Sequence, residues 1–309
     1  MVSKEEYNSY VKKLIDKKDA CVKSLSLWYM LVSITMIIAG IVLCIFFFPF
    51  MLWSNFHLVS FILGVCLIII SILMLNKRRD TKKIFREDIR EKVIGYLLKD
   101  YTYRFDRIGY ISSLEFDNSQ FCGTYDCYCC GDALTVNIPN DDGSESKIDF
   151  QIGDVNAYDV EYDEKGNRST RDVYKGVFGC VKFKSNFKCI LTIDSKFKRK
   201  GVKFENVILE DINFNKKFKV KTNNQVEARY ILTPDMMGKI LLLESRIKNI
   251  KIVFADKNLY VGSEKVNLFE LDKYRNDDVA SIFDNLYDEI ELILGIVDEL
   301  KNNNKIFKM

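Results

Sequence analysis

Four cysteines fall within nine residues in the segment CGTYDCYCCGD, at Cys122, Cys127, Cys129 and Cys130. Clustered thiolates are typical ligands of structural zinc, and the C-x-x-C pair formed by Cys127 and Cys130 also has the spacing of redox motifs. A zinc site normally needs a second such pair or histidines, and the redox interpretation lacks its usual βαβ setting. We favour ordinary cysteines that pack as small hydrophobic residues, with no metal and no cofactor.

A second candidate is the segment NNQVEARYILTP, residues 223–234, which places Glu227 and Arg229 among apolar residues. Asn224 stands three residues before Glu227, which is the spacing of a helix start. The Thr-Pro pair that closes the segment predicts the end of this short helix and the first positions of the next. We expect Glu227 and Arg229 to form structural ion pairs with other residues, with catalysis as the alternative.

Other catalytic patterns are missing from the sequence. The single histidine, His57, lies in an apolar region, which argues against a Ser-His or Cys-His pair in the polar part of the chain. The sequence contains no phosphate-binding loop, no G-x-G-x-x-G after a strand, no G-x-S-x-G elbow and no H-E-x-x-H. The sequence therefore indicates no particular reaction, and catalytic residues stay unknown.

Two long apolar runs lie near the amino terminus, before the segments that contain the candidate residues. Residues 27–48 contain no charge and exceed the length needed to cross a hydrocarbon core of about 30 Å, and residues 56–75 form a second such run. A short segment with turn and interface residues, including Pro49 and Trp53, separates them. We predict a two-helix transmembrane hairpin, preceded by an amphipathic helix over residues 1–26 and followed by a basic juxtamembrane helix over residues 76–100.

The charges around the two runs predict their orientation. Lysines and arginines are frequent before the first run and after the second, and none lies in the turn between them. The positive-inside rule therefore places both termini in the cytoplasm. The cluster after the second run is interpreted either as this topology signal or as a contact with anionic lipid head groups. Its residues are Lys77, Arg78, Arg79, Lys82, Lys83 and Arg86.

The remainder, residues 101–309, is predicted to be an α+β domain. Short alternating runs of apolar residues favour a mainly antiparallel sheet, and the last helix, from residue 276 to about 301, has a broad apolar face that suits packing on the domain. Hairpin turns are expected at residues 184–188 and 255–259, and exposed loops at 138–146 and 162–172. The predicted strands cover 107–116, 146–152, 172–183, 188–193, 202–209, 217–222, 250–254 and 258–263.

Several segments resemble a known family. Residues 207–241 (VILEDINFNKKFKVKTNNQVEARYILTPDMMGKIL), with VYKGVFGCVKF at 173–183 and the later FADKNLYVG and FELD, are similar to the bacterial domain-of-unknown-function family 3137. The resemblance spans roughly residues 109–272, is most specific at E-A-R-Y-x-L-T-P, and includes a preceding pair of membrane spans. It implies a bacterial membrane-anchored protein with a cytoplasmic domain. It implies no activity, and the cysteine cluster departs from the family pattern.

These observations predict a non-catalytic binding or scaffolding module at the inner face of the bacterial cell membrane. Its partners would be anionic lipids and an unidentified protein. Nucleic acid is not expected, because 46 basic and 43 acidic residues leave a net charge of only +3. One alternative is a membrane-tethered enzyme that uses carboxylates or Cys129. Another is a small subunit of a membrane complex, in which Gly40 and Gly64 permit close helix contact.

Overall fold

The computed structural model describes residues 2–48, 55–106, 109–139, 147–264, 266, 268–269, 279–303 and 306–307. The chain divides into two compact units. The first comprises Ser3–Tyr96, and the second comprises Leu97–Met309 together with Met1–Val2.

Two long helices make up the first unit. Helix α1 covers Lys4–Phe47, and the side chain of Ser3 caps its start by accepting a hydrogen bond from the Glu6 amide. Helix α2 covers Asn55–Leu97. The predicted amphipathic helix and first apolar run are therefore one continuous helix, and the second run continues without a break into the juxtamembrane segment.

The two helices pack side by side in opposite directions. The ring of Tyr10 stacks on Tyr96 with centroids 3.9 Å apart, and the ring of Phe48 lies 5.8 Å from that of Phe61. Between these ends, a β-carbon at Gly40 would lie 2.8 Å from the carbonyl oxygen of Gly64. The two glycines thus serve a contact within the chain, where they allow the backbones to approach closely.

Polarity in the two apolar segments of this unit is reversed relative to a water-soluble helix pair. Ser33 and Ser71 are buried, and each hydroxyl donates to a carbonyl oxygen of its own helix. Large apolar side chains such as those of Ile38 and Leu73 face outward. One segment, Leu27–Phe46, has the length and composition of a membrane anchor or of a signal sequence, and Val59–Leu75 is a shorter apolar segment among the described residues.

Gly40 provides a first prediction. Gly40→Ala is expected to destabilise the helix pair by about 1–2 kcal/mol, because the new methyl group meets the Gly64 carbonyl and Ile68. Unfolding of the full chain in a denaturing detergent measures this effect. Val42→Ala is the control, because the Val42 side chain is 59% exposed and its shortening disturbs no helix contact. Equal stability of the two variants would contradict the close approach.

In the second unit, nine strands of the described residues form one antiparallel sheet in the order β1-β2-β3-β4-β9-β8-β5-β7-β6. The predicted α+β class with a mainly antiparallel sheet is thereby confirmed. The last hairpin, β8 and β9, lies in the middle of the sheet between β4 and β5. The strands are β1 Thr102–Asp106, β2 Cys127–Pro139, β3 Lys147–Tyr162, β4 Arg168–Lys182, β5 Leu191–Ile193, β6 Glu205–Asn206, β7 Val220–Thr222, β8 Ile250–Ala255 and β9 Asn258–Glu264.

Four shorter helices and a long terminal one complete the unit. Helix α7 packs beside α6, where Lys239 forms a 2.7 Å ion pair with Glu299. The caps predicted around residues 224–234 are confirmed, because Asn224 caps α5, Thr233 caps α6 and Pro234 is the first residue of α6. The helices are α3 Ser113–Ser119, α4 Ile212–Lys217, α5 Gln225–Ile231, α6 Pro234–Ile247 and α7 Val279–Asn302.

Three sequence predictions in this unit are wrong. Much of the strand predicted at 107–116 is occupied by the start of α3, which Ser112 caps by accepting from the Leu114 amide. The turn at 184–188 does not join paired strands, because β4 pairs with β9 and β5 pairs with β7 and β8. The loop expected at 162–172 is shorter and covers residues 163–167, because β3 extends to Tyr162 and β4 starts at Arg168. The turn at 255–259 is confirmed as the β8–β9 connection.

Candidate functional site

A cleft of about 1120 Å³ opens at one side of the sheet. It is bordered by α3 and the residues that follow it up to Tyr128, by the segment after β5, and by Lys251 on β8 and Glu264 on β9. This volume slightly exceeds the range of about 300–1,000 Å³ that is typical of small-molecule sites. The cleft is therefore the candidate functional site of the second unit.

Aromatic rings form the apolar part of the cleft, which we call the aromatic floor: Phe116, Phe121, Tyr125 and Tyr128. The Phe116 ring lies 5.9 Å from that of Tyr125 and 5.5 Å from that of Tyr128. The Tyr128 hydroxyl donates to the carbonyl of Ile111 at 3.0 Å, so its polar end is satisfied while its ring forms part of the floor. The floor can therefore contact a flat or apolar group without leaving a polar atom unpaired.

A row of lysines borders the same cleft. In the sequence KFKRK, Lys196, Lys198 and Lys200 are exposed and alternate with the buried Phe197. Lys196 and Lys198 line the cleft, and Lys198 and Lys200 line an adjoining cavity of about 380 Å³. Among the described residues, no carboxylate forms an ion pair with this lysine row.

The acidic residues of the cleft, in contrast, are held by the fold. Asp117 accepts from the Tyr125 hydroxyl at 2.6 Å, Asp126 from the Val160 amide at 2.9 Å, and Asp194 from the Lys219 amide at 2.8 Å. Glu264 pairs with Lys251. Burial raises the pKa of Asp194, which the Lys219 amide partly offsets.

Neutral groups line the space between these charges. Burial raises the pKa of the Cys122 thiol to about 11, and burial together with the hydrogen bond to Asp117 raises the pKa of the Tyr125 phenol. Both groups are therefore uncharged at neutral pH. They add apolar and hydrogen-bonding surface to the cleft without adding negative charge.

Gln120 ties the two sides of the cleft together. Its side-chain amide donates to the Lys198 carbonyl and accepts from the Lys198 amide, each at 2.9 Å. Gln120 ends α3 in the left-handed region, at φ +52°, where a residue with a β-carbon is disfavoured. This pair of hydrogen bonds, which we call the Gln120 clasp, therefore holds a strained residue between the two cavities.

The clasp provides a second prediction. Gln120→Ala is expected to cost about 2 kcal/mol of unfolding free energy, because it removes both hydrogen bonds and keeps the strained backbone. Gln120→Gly should recover about 1 kcal/mol of this loss, because glycine adopts positive φ freely. Chemical denaturation measures both values, and hydrogen exchange at the Lys198 amide reports the local opening. Equal stability of the alanine and glycine variants would contradict the strain.

The structure places the four clustered cysteines in two different elements. Cys122 lines the cleft, whereas Cys127, Cys129 and Cys130 lie in β2. The exposed Cys129 thiol donates to the carbonyl of Asn156 at 3.5 Å, and Cys130 packs partly against the core. Within the described ranges, no group of three or more cysteine, histidine, aspartate or glutamate side chains could hold a metal ion.

Glu227 and Arg229 lie in α5, away from the cleft lining. Arg229 donates to the carbonyl oxygens of Gln225 and Ile208, at 3.3 and 3.4 Å. Glu227 Oε2 is buried and has no hydrogen-bond partner in the described part of the chain. Arg229 thus links α5 to the neighbouring loop through backbone carbonyls, and the structural ion pairs expected for Glu227 and Arg229 stay a prediction.

The basic cluster from Lys77 to Arg86 belongs to α2, but its side chains lie outside the described residues. Its contact with lipid head groups therefore stays a prediction. The sequence analysis missed the lysine row, the aromatic floor and Gln120. The alternation of lysine around Phe197 was the available signal, because it indicates an extended segment with one charged side.

Comparisons with known proteins match part of the chain. The family model described as "Protein of unknown function (DUF3137)" matches residues 172–302. No curated protein matches. A solved structure, the "crystal structure of the mycobacterial trehalose monomycolate transport factor A, TtfA", is similar at a TM-score of 0.31 and 10% sequence identity, and the match covers 62% of this chain and 90% of that one. A TM-score of 0.31 is too low to indicate a shared fold or function.

The family match differs in extent from the resemblance drawn from the sequence, since it begins at residue 172 and continues into α7. It includes the lysine row and leaves the aromatic floor and the cysteine cluster outside. Residues 172–302 of this chain are thus similar to the family of proteins of unknown function DUF3137.

Proposed function

We propose that this protein is a membrane-tethered binding module whose ligand site is the cleft of the second unit. The observation that carries the proposal is the cleft itself, in which an aromatic floor and lysines without a carboxylate partner among the described residues border a space of about 1120 Å³. Binding sites of this kind combine apolar contact with a few polar groups that fix orientation. Scaffolding of an unidentified partner protein at the inner face of a bacterial membrane belongs to the same proposal.

The tether is supported by the reversed polarity of the first unit. Apolar side chains cover the outside of α1 and α2, while Ser33, Gly40, Gly64 and Ser71 are buried. Small residues between helices and large apolar residues outside are typical of helices that lipid surrounds. We propose that both apolar segments cross the bilayer as a hairpin, with both termini and the second unit in the cytoplasm.

A protease experiment tests this topology. The full chain is expressed in a bacterium with a tag at its carboxyl end, and protease is added to intact cells and to inverted membrane vesicles. The tag should be digested only in the inverted vesicles, because the second unit is expected on the cytoplasmic side. Digestion in intact cells would overturn the cytoplasmic location.

A cleft-filling variant tests the binding site. A β-carbon at Gly123, which lines the cleft, meets no atom within 4 Å, so Gly123→Trp should fill the cleft without disturbing the core. The matched control is Gly238→Trp, because Gly238 in α6 has equally open surroundings outside the cleft.

The measurement uses the full chain in lipid nanodiscs and ligand-observed NMR with water-soluble naphthalene compounds of negative, neutral and positive charge. At least one compound should bind the natural protein and Gly238→Trp with equal affinity, and at least tenfold more weakly to Gly123→Trp. If every compound binds the two tryptophan variants equally, the cleft is not the site.

A further inference from the structure

We infer that the ligand of the cleft is an organic anion, with its charged group on Lys196 and Lys198 and its apolar part on the aromatic floor. This inference rests on the proposed function, because it specifies the ligand class of the same site. A phosphate, sulfonate or carboxylate group attached to a ring or chain has the required chemistry. The size of the cleft leaves room for both parts of such a ligand.

The first step is the difference between the two kinds of charge in the cleft. The carboxylates that line it already accept hydrogen bonds, from the Tyr125 hydroxyl, from the backbone amides of Val160 and Lys219, and from Lys251. Lys196 and Lys198 have no such carboxylate partner within the described residues. An incoming anion therefore gains charge-assisted hydrogen bonds without first displacing an ion pair.

The second step is the surrounding sequence. Residues 196–221 carry nine lysines and arginines against three acidic residues, in a chain whose net charge is only +3. Some of these charges are paired, as in Arg199 with Asp256 at 2.6 Å and Lys217 with Glu244 at 2.9 Å. The remaining excess gives this segment a positive potential that attracts anions.

The third step is the apolar part of the site. Tyr125 and Tyr128 are half-buried and their rings lie 6.2 Å apart above the buried Phe116, so an adjacent ring or chain has two tyrosine surfaces to contact. Cys122 is uncharged at neutral pH and extends this surface. The lysine row and the floor are connected through the Gln120 clasp, so both contacts are available to one ligand.

Asp117, Asp126 and Asp194 argue for the opposite possibility, a cationic ligand. Each of these carboxylates already accepts one hydrogen bond and keeps lone pairs that a cation could contact. The two possibilities are testable, because they predict opposite orders of affinity for an anionic and a cationic probe that share one ring system.

The experiment uses the full chain in nanodiscs of zwitterionic lipid, with 1-naphthyl phosphate, 1-naphthol and 1-naphthylmethylammonium as probes. The phosphate should bind at least about tenfold more tightly than the other two, an advantage that corresponds to charge-assisted contacts with two exposed lysines. The double variant Lys196→Gln, Lys198→Gln should lose this advantage. The control is Lys184→Gln with Lys203→Gln, which removes the same charge from exposed positions outside the cleft.

The outcomes separate the two proposals. If naphthol or the ammonium compound binds as tightly as the phosphate, and Gly123→Trp still abolishes binding, the anion class is overturned and the binding site stands. Equal weakening of naphthyl phosphate binding by the two double variants would likewise overturn the anion class and leave the binding site standing. If Gly123→Trp affects none of the probes, the proposed function fails first.

A further arm identifies the source of the anion once the expected ranking is found. Replacement of part of the zwitterionic lipid by phosphatidylglycerol should weaken naphthyl phosphate binding if lipid head groups reach the cleft. Unchanged binding supports a soluble organic anion. Inorganic phosphate alone should compete weakly, because it lacks the group that contacts the aromatic floor.

Discussion

Gly176→Ala is expected to destabilise the second unit by about 3 kcal/mol. Gly176 lies in β4 opposite Glu264 of β9, and a β-carbon there would overlap the carbonyl oxygen of Ser263 and lie 2.9 Å from the Glu264 α-carbon. Both obstacles are backbone atoms, so no side-chain rotation relieves the overlap, and the two strands must separate. Chemical denaturation of the full chain, followed through a probe in the second unit, measures the loss.

Gly179→Ala in the same strand is the control for this prediction. A β-carbon at Gly179 meets only ordinary contacts, the nearest being the Gln151 carbonyl oxygen at 3.4 Å. Alanine there should leave stability unchanged or raise it slightly, because glycine is unfavourable within a strand. A similar loss at both positions would show that β4 and β9 do not meet as closely as described.

The second large effect is a loss of stability as pH rises, which originates at Glu289 in α7. The pKa of this carboxyl group is raised from 4.5 to about 7, mainly by burial; Arg246 opposes the shift, and Asp288 and Asp154 contribute to it. The unfolded chain releases this proton near pH 4.5, whereas the folded chain retains it up to about pH 7. The contribution of Glu289 to the free energy of unfolding is therefore complete below pH 4.5. It declines by about 3 kcal/mol as pH rises to 7.

Glu289→Gln separates this effect from other titrations. The variant should be more stable than the natural chain at pH 8 by up to about 3 kcal/mol, and the difference should disappear near pH 4. Glu291→Gln in the same helix is the control, because Glu291 is exposed. Denaturation curves at several pH values give the comparison, and a constant difference across this range would contradict the assignment to Glu289.

Local signals in the sequence correctly predicted several elements. The caps at Asn224 and Thr233 depend on a side chain that satisfies amides of its own chain within three residues. The β8–β9 turn likewise depends on a short connection between two apolar runs. Such features need no knowledge of distant residues, and for that reason they can be read from the sequence.

The secondary-structure predictions were wrong where contacts with residues distant in the sequence determine the local structure. The segment from Arg168 resembles a loop because its side chains are exposed and polar, yet its backbone pairs with β3 from Tyr162 to Tyr158. Conversely, the apolar alternation before Phe116 suggested a strand, whereas packing of Phe116 against the core favours a short helix. Backbone pairing and core packing overrode the local preference at both sites.

The candidate site could not be predicted for the same reason. Its floor comes from residues 116–128, its lysines from 196–200 and its Lys251–Glu264 pair from the final hairpin. None of these segments contains a motif, and their chemistry arises only when the sheet brings them together. The cysteine spacing, which looked most specific in the sequence, proved to be divided between a loop and a strand.

The position of the β8–β9 hairpin in the sheet has a consequence for synthesis on the ribosome. Strands β1 to β4 can pair as they emerge, but the free side of β4 is covered only by β9, whose residues appear more than 75 positions later. Until then the nascent chain exposes an unpaired apolar strand, a state prone to wrong association. Translation arrest before residue 258 should therefore leave a product that holdase chaperones retain, whereas release after β9 should free it.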